Sequence, residues 1–191
     1  MRLVLLGAPG SGKGTQGRAL AQRLGVPYVS SGELLRTHAA AQTELGRRVA
    51  PYLNRGDLVP DELVLAAVSD ALAAPANAGG YVLEGFPRTT AQALSGDVPS
   101  PDAVVYLALP DEVARQRLAR RAEAGRTDDA DPEAIERRFR LFHDETEPLI
   151  DFYRQRGLLT TVDADQPVDA VTAAILDALR ASHPTDDPTE S

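Results

Sequence analysis

The chain has 191 residues, no Cys and a formal net charge of -8. That length fits one domain, or one core with small inserts, and it can bury roughly 70% of the unfolded surface without covalent staples. The absence of Cys excludes disulfide frameworks, thiolate zinc sites and thiol catalysis. The acidic balance argues against generic nucleic-acid binding, and no apolar run approaches the ~18 residues of a membrane span. No charged-then-apolar leader opens the sequence, so a soluble cytoplasmic protein is expected.

The first run, Arg2-Leu3-Val4-Leu5-Leu6, is short, apolar and followed by glycine. Further short runs rich in Val, Leu and Tyr lie at 26–29, 81–83, 103–109 and 158–162. Longer segments with helical spacing separate them. This alternation predicts an α/β fold with a mostly parallel sheet. The runs are continuously apolar, which suits a sheet covered on both faces. A helix is expected to begin at Pro110-Asp111-Glu112, where the acids complement its dipole. The next helical pattern carries Ile135, Phe139, Phe142, Leu149 and Ile150 on one buried stripe. Between these two helices, 122–132 is polar, holds Gly125 and two adjacent Asp, and reads as a loop. The tail at 182–191 has two Pro and three acids without apolar residues, and is expected to be disordered.

The chemistry begins after the first strand. Gly7-Ala8-Pro9-Gly10-Ser11-Gly12-Lys13-Gly14-Thr15 fits G-x-x-x-x-G-K, with a strand before it and a helical pattern after it. Glycines let backbone N–H groups turn inward around an anion, and the helix N-terminus adds partial positive charge. Of 20 basic residues, 19 are Arg, and the single Lys is Lys13. A compact ammonium fits a tight phosphate loop where a planar guanidinium does not. Gly14 stands where many such loops place a Ser or Thr that ligates magnesium. Magnesium is then expected to be held mainly by phosphates and water.

Four motifs in order resemble the adenylate kinase family, from about residue 1 to about 179. The loop continuing into Gln16 is the first. Ser30-Ser31-Gly32-Glu33-Leu34-Leu35-Arg36 is the second, and Gly56-Asp57-Leu58-Val59-Pro60-Asp61-Glu62-Leu63-Val64 the third. Gly85-Phe86-Pro87-Arg88-Thr89 is the fourth, with Gln92 three residues later. Read physically, Ser30 with Glu33 matches a capping box that opens a helix. Arg36 can reach back toward that helix's N-terminal end. Arg88 follows a strand end, where ligands bind in parallel sheets. Gln92 can offer both donors and an acceptor.

The resemblance implies a P-loop kinase fold with a five-stranded parallel sheet flanked by helices on both faces. It implies a core of 1–29, 60–121 and 133–181, an insert at 30–59 for the monophosphate, and a short lid at 122–132. It implies a magnesium-dependent enzyme acting on ATP and AMP to give ADP. Gly10, Ser11, Gly12, Lys13, Gly14, Thr15, Arg117, Arg121 and Gln166 are the implied ATP side. Ser31, Arg36, Asp57, Leu58, Val59, Gly85, Phe86, Pro87, Arg88 and Gln92 are the implied AMP side. By the same resemblance, Arg126 and Arg138 are implied to touch the transferred and acceptor phosphates, and with Lys13 and Arg88 to form the catalytic set. The position of Arg138 requires one inserted residue in the lid, so Arg137 is its rival. For Arg115, Arg120, Arg137 and Arg140, a solvated basic face is the preferred reading. Glu33 and Glu84 stand where the family usually has Asp; they are read as carboxylates near the magnesium waters, with no direct protein ligand to the metal. A lid without Cys is expected to hold no zinc. The resemblance further implies a monomer, with no nucleic-acid or membrane partner.

Transfer between two nucleotides brings charged phosphates together, and several fixed cations must offset their repulsion. A phosphate acceptor is already largely deprotonated, with pKa₂ about 6, so no general base is required. The nearest alternative is a UMP/CMP kinase. A GTP-dependent switch would need the Lys of N-K-x-D, and no second Lys exists. A non-catalytic nucleotide-binding module would have no use for the arginines of a second site.

Overall fold

Leu3, Val4, Leu5 and Leu6 form the centre of the sheet. Each is at most 3% exposed. The structure is a computed structural model, and it describes residues 1–125 and 131–182. Strand β1 (Arg2–Leu6) pairs in parallel with β3 (Tyr81–Glu84) on one side and β4 (Ala103–Ala108) on the other. Strand β2 (Tyr28–Ser30) lies outside β3, and β5 (Leu159–Asp163) lies outside β4. The order is β2-β3-β1-β4-β5, and every pairing is parallel.

A strand presents successive side chains to opposite faces. Leu3 and Leu5 therefore join one apolar cluster, and Val4 and Leu6 join another. The first cluster is completed by Leu20 of α1 (Lys13–Leu24), Leu118 of α6 (Asp111–Glu123), Phe139 of α7 (Pro132–Leu141) and Ile175 of α9 (Val168–Ser182). The second takes Leu35 of α2 (Ser31–Ala40), Val49 of α3 (Glu44–Arg55), Val68 of α4 (Asp61–Leu72) and Leu149 of α8 (Pro148–Arg154). Each fully buried aliphatic side chain contributes about 1.5–3 kcal/mol. Two covered faces explain why the strands are apolar throughout. Helix α5 (Thr90–Leu94) is a short piece after β3. No described helix is long and apolar enough to cross a membrane.

Three details differ from expectation. The second strand begins at Tyr28 rather than at 26, because Pro27 has no N–H for the ladder; its carbonyl still accepts from the Val82 N–H at 2.9 Å. The helix expected after the lid is interrupted by a π-helical turn at Phe142–Thr146, where the Glu147 N–H reaches back to the Phe142 carbonyl at 2.7 Å. Pro148, with no N–H to donate, starts α8 afresh. The apolar stripe survives, with Phe139, Phe142, Leu149 and Ile150 buried and Ile135 partly so. Helix α9 runs to Ser182, and the rest of the expected tail lies outside the described residues. Helices α2 and α3 fill most of the range 30–59, and they pack on each other.

Phe139→Ala is expected to cost about 3–5 kcal/mol, the range for truncating a buried aromatic ring. Urea denaturation would show this as a lower midpoint with an unchanged slope.

Candidate active site

The carboxyl ends of β1 and β3 open onto one cleft of about 660 Å³, where α1 also begins. Gly12 precedes α1 in the left-handed region, with φ 95°, and caps it without a side chain. The first N–H groups of α1 therefore have no side-chain cap and are available to an anion. Lys13 folds back into the loop. Its Nζ donates to the carbonyls of Gly7 at 2.7 Å and Ala8 at 2.8 Å. Burial pushes the ammonium pKa down to about 8. The charges of Arg88, Arg121 and Arg138 add to that shift, and Glu84 opposes it.

Arg88 lines the same cleft and is held by its own loop. Its Nε donates to the Gly85 carbonyl at 2.9 Å, and its N–H donates to Gln92 Oε1 at 2.7 Å. Burial lowers its pKa, as do Arg138 and Arg36, against the pull of Glu84. Arg36 reaches back over the start of α2, as its place in the helix implies. A Cβ on Gly32 would stand 3.1 Å from its Nη1. Across the cleft, Arg117 donates to the Ala164 carbonyl at 3.0 Å and lies 3.5 Å from Asp165. Gln166 donates to Asp163 at 3.1 Å. Among the described residues, eight cationic side chains line the cleft against two carboxylates, Glu33 and Glu84. That local excess of positive charge reconciles a chain of net charge -8 with polyanionic ligands.

The capping box forms only by half. Ser30 Oγ accepts from the Glu33 N–H at 3.4 Å, but the Glu33 carboxylate pairs with Arg18 instead of returning to Ser30. Ser30 Oγ also donates to Glu84 Oε1 at 3.2 Å. Arg18 donates to the Gly14 carbonyl at 3.1 Å and lies 4.9 Å from the centre of the Tyr28 ring. Burial, and then the Glu84 carboxylate, push the Tyr28 phenol far above its ordinary range, with the nearby Ser30 hydroxyl opposing them.

The cleft gathers Gly10 to Thr15, Glu33, Arg36, Leu58, Glu84, Gly85, Pro87, Arg88, Arg117, Arg121, Arg138 and Gln166. It does not gather Ser31, Asp57, Val59, Phe86 or Gln92. Ser31 is buried against Gly85, where a Cβ would lie 2.5 Å from Ser31 Oγ. Val59 and Phe86 join the second apolar cluster. The Asp57 side chain accepts from Arg55 at 2.7 Å and Arg137 at 3.1 Å, while the flanking Gly56 and Leu58 line the cleft. Gln92 is 4% exposed, and both ends of its amide are engaged, the oxygen by Arg88 and the nitrogen with Asp61 at 2.6 Å. Its capacity to donate and accept is thus used to shape the Arg88 loop. Arg126 lies outside the described residues. Arg138 lines the cleft and Arg137 does not. Arg120 and Arg18 line it too, although the sequence pattern favours a solvated Arg120 and gives no sign of Arg18. The place of Arg120 beside Arg121 is the one local signal for it, whereas nothing local marks Arg18.

A parallel sheet whose first strand feeds G-x-x-x-x-G-K, with several arginines lining the same cleft, is the arrangement of a P-loop nucleotide kinase. A family model for adenylate kinase matches residues 5–158. The chain is 43% identical over 188 residues to an adenylate kinase of Stenotrophomonas maltophilia (strain K279a), covering 95% of this chain and 100% of that protein. It is 41% identical over 187 residues to an adenylate kinase of Thermobifida fusca (strain YX), covering 95% and 99%. It is 36% identical over 214 residues to an adenylate kinase of Streptomyces coelicolor, covering 94% and 99%. The chain belongs to the adenylate kinase family.

Proposed function

We propose that the cleft binds ATP along the phosphate loop and AMP along the wall of Arg36 and Arg88, so that one phosphoryl group passes directly between them. The reaction is that of the family, ATP + AMP ⇌ 2 ADP. One observation carries the two-nucleotide reading: Lys13 of the loop shares one cleft with a second group of cations, Arg36, Arg88 and Arg138, that the phosphate loop does not supply. A site for a single nucleotide needs no second bank of cations.

In this reading Lys13 is placed for the β- and γ-phosphates, and the backbone from Gly10 to Thr15 cradles them. Arg117 and Arg121 lie on the ATP side, and Gln166 with Pro167 borders its base. Arg138, and Arg126 from the lid, offset the charge on the group in transit. Charged hydrogen bonds contribute about 1.5–3 kcal/mol each, and an arginine on the transition state is worth about 10³–10⁵ in rate. The acceptor phosphate needs no base, so positioning and electrostatics suffice without a covalent intermediate. Closure of the 122–132 and 30–59 segments over both nucleotides would exclude water, which otherwise hydrolyses ATP.

The residues also fit magnesium entering with ATP. Gly14 offers no hydroxyl, so phosphates and water would hold the ion, with Glu84 and Glu33 accepting from the waters. Glu84 suits that task, because its Oε2 is buried and makes no hydrogen bond among the described residues. When bound, the cation neutralises charge on the β- and γ-phosphates.

A coupled assay of ADP formation with AMP, GMP, CMP and UMP as acceptors tests the reading. AMP is expected to dominate, and without an acceptor hydrolysis should be negligible. A preference for CMP or UMP would reassign the substrate, and turnover without an acceptor would make the protein an ATPase. Arg88→Ala is expected to raise the KM for AMP far more than that for ATP; equal effects would move Arg88 out of the acceptor site. Arg138→Ala should lower kcat by at least about 10³. Arg137→Ala should leave kcat close to wild type, since that side chain pairs with Asp57. The reverse order would shift the site arginine by one residue.

A further inference from the structure

Tyr28 has no role in the scheme above, yet it lies against the phosphate loop. It stands at the start of β2, and its ring crosses α1 at Gly17, where a Cβ would lie 2.4 Å from Tyr28 Cε2. Only glycine admits the ring there. Three residues earlier on α1, a Cβ built on Gly14 would stand 3.5 Å from Tyr28 Oη and 3.6 Å from Glu84 Oε2. Two glycines at i and i+3 on α1 therefore form a slot that leads the phenol to the position following Lys13. At the end of that slot, a buried hydroxyl and a buried carboxylate oxygen face the same glycine. Neither makes a hydrogen bond among the described residues.

The other groups around them are already engaged. Glu84 Oε1 accepts from Ser30. Arg18 covers the outer face of the Tyr28 ring while its guanidinium pairs with Glu33 and the Gly14 carbonyl. A buried carboxylate oxygen is costly without a donor. Tyr28 Oη is an unused donor directed at the same glycine. Position 14 is also where related loops carry a hydroxyl of their own.

We propose that Tyr28 is a positioning residue for the cation side of the ATP site. In the loaded site its hydroxyl is the donor for Glu84 Oε2, and it holds the carboxylate of this longer side chain toward the phosphate-bound metal. Ser30 secures one oxygen and Tyr28 the other. The hydroxyl that the loop lacks at Gly14 is thereby supplied from β2, acting through Glu84. This inference rests on the reading of Glu84 as the carboxylate near the metal's water shell.

Mn²⁺ binding to the full-length protein with ATP, followed by electron paramagnetic resonance, tests it without turnover. Tyr28→Phe keeps the ring in its slot and removes only the hydroxyl. The Mn²⁺ affinity of the ATP complex is expected to fall by about 10-fold, the lower range for loss of an outer-shell partner. Metal-free ATP affinity, measured by calorimetry, should not change. In a Glu84→Asp background the shorter carboxylate withdraws from the hydroxyl, so adding Tyr28→Phe should have little further effect. Unchanged Mn²⁺ affinity in Tyr28→Phe overturns the proposal, as does an equal loss of metal-free ATP binding or a full loss persisting in the Glu84→Asp background. Glu84→Gln separates the two levels. If it weakens Mn²⁺ while Tyr28→Phe does not, the inference fails and the reading of Glu84 stands. If neither variant has an effect, that reading falls too.

Discussion

Like charges crowded into a small space repel, and in this cleft specific contacts hold them there. Lys13 is depressed to about 8 by burial first, and then by Arg88, Arg121 and Arg138, which come from three different elements. Mutual repulsion would scatter flexible side chains. Here specific contacts oppose it: Lys13 is held by the loop carbonyls, Arg88 by Gly85 and Arg117 by Ala164. Anionic phosphates bound in the cleft convert that repulsion into attraction. Binding and catalysis draw on the same stored electrostatic cost.

The restraint comes from the sheet. β1 is buried on both faces and carries the loop at its end, and β3 carries Glu84 and the Arg88 loop beside it. Their register sets Leu5 opposite Glu84. Parallel neighbours deliver both loops to the same edge, where they line one cleft. Buried polar residues complete the support. Gln16 joins α1 to α9 through Thr172 and the Val168 carbonyl, and Gln92 joins the Arg88 loop to Asp61. Each amide is satisfied at both ends, so its role is rigidity.

The segment 30–59 is tied to the rest of the molecule in a different way. Asp57 pairs with Arg137 on α7, and Gly56 lies so close to α7 that a Cβ would be 2.6 Å from the Ala134 carbonyl. Arg137 and Arg138 are neighbours on one helix, about 100° apart around its axis. One side chain thus pairs with the 30–59 segment while the next lines the cleft.

Much of this was legible in the chain itself. The five apolar runs, the loop from Gly7 to Thr15 and the order of the four motifs follow from local patterns of residue type. Local pattern also determined that the one Lys sits in the loop and that Arg36 turns back along its helix. Sequence could not say which of Arg137 and Arg138 enters the cleft, because an inserted residue rotates a helix without changing its composition. It could not show that Gln92 is buried, that Glu33 leaves its capping box for Arg18, or that Tyr28 reaches Gly14 through Gly17. Each of these depends on contacts between separate elements, such as β2 against α1 or the Arg88 loop against α4. Only tertiary packing decides which of several possible partners a polar side chain meets, because desolvation penalises every alternative left unpaired.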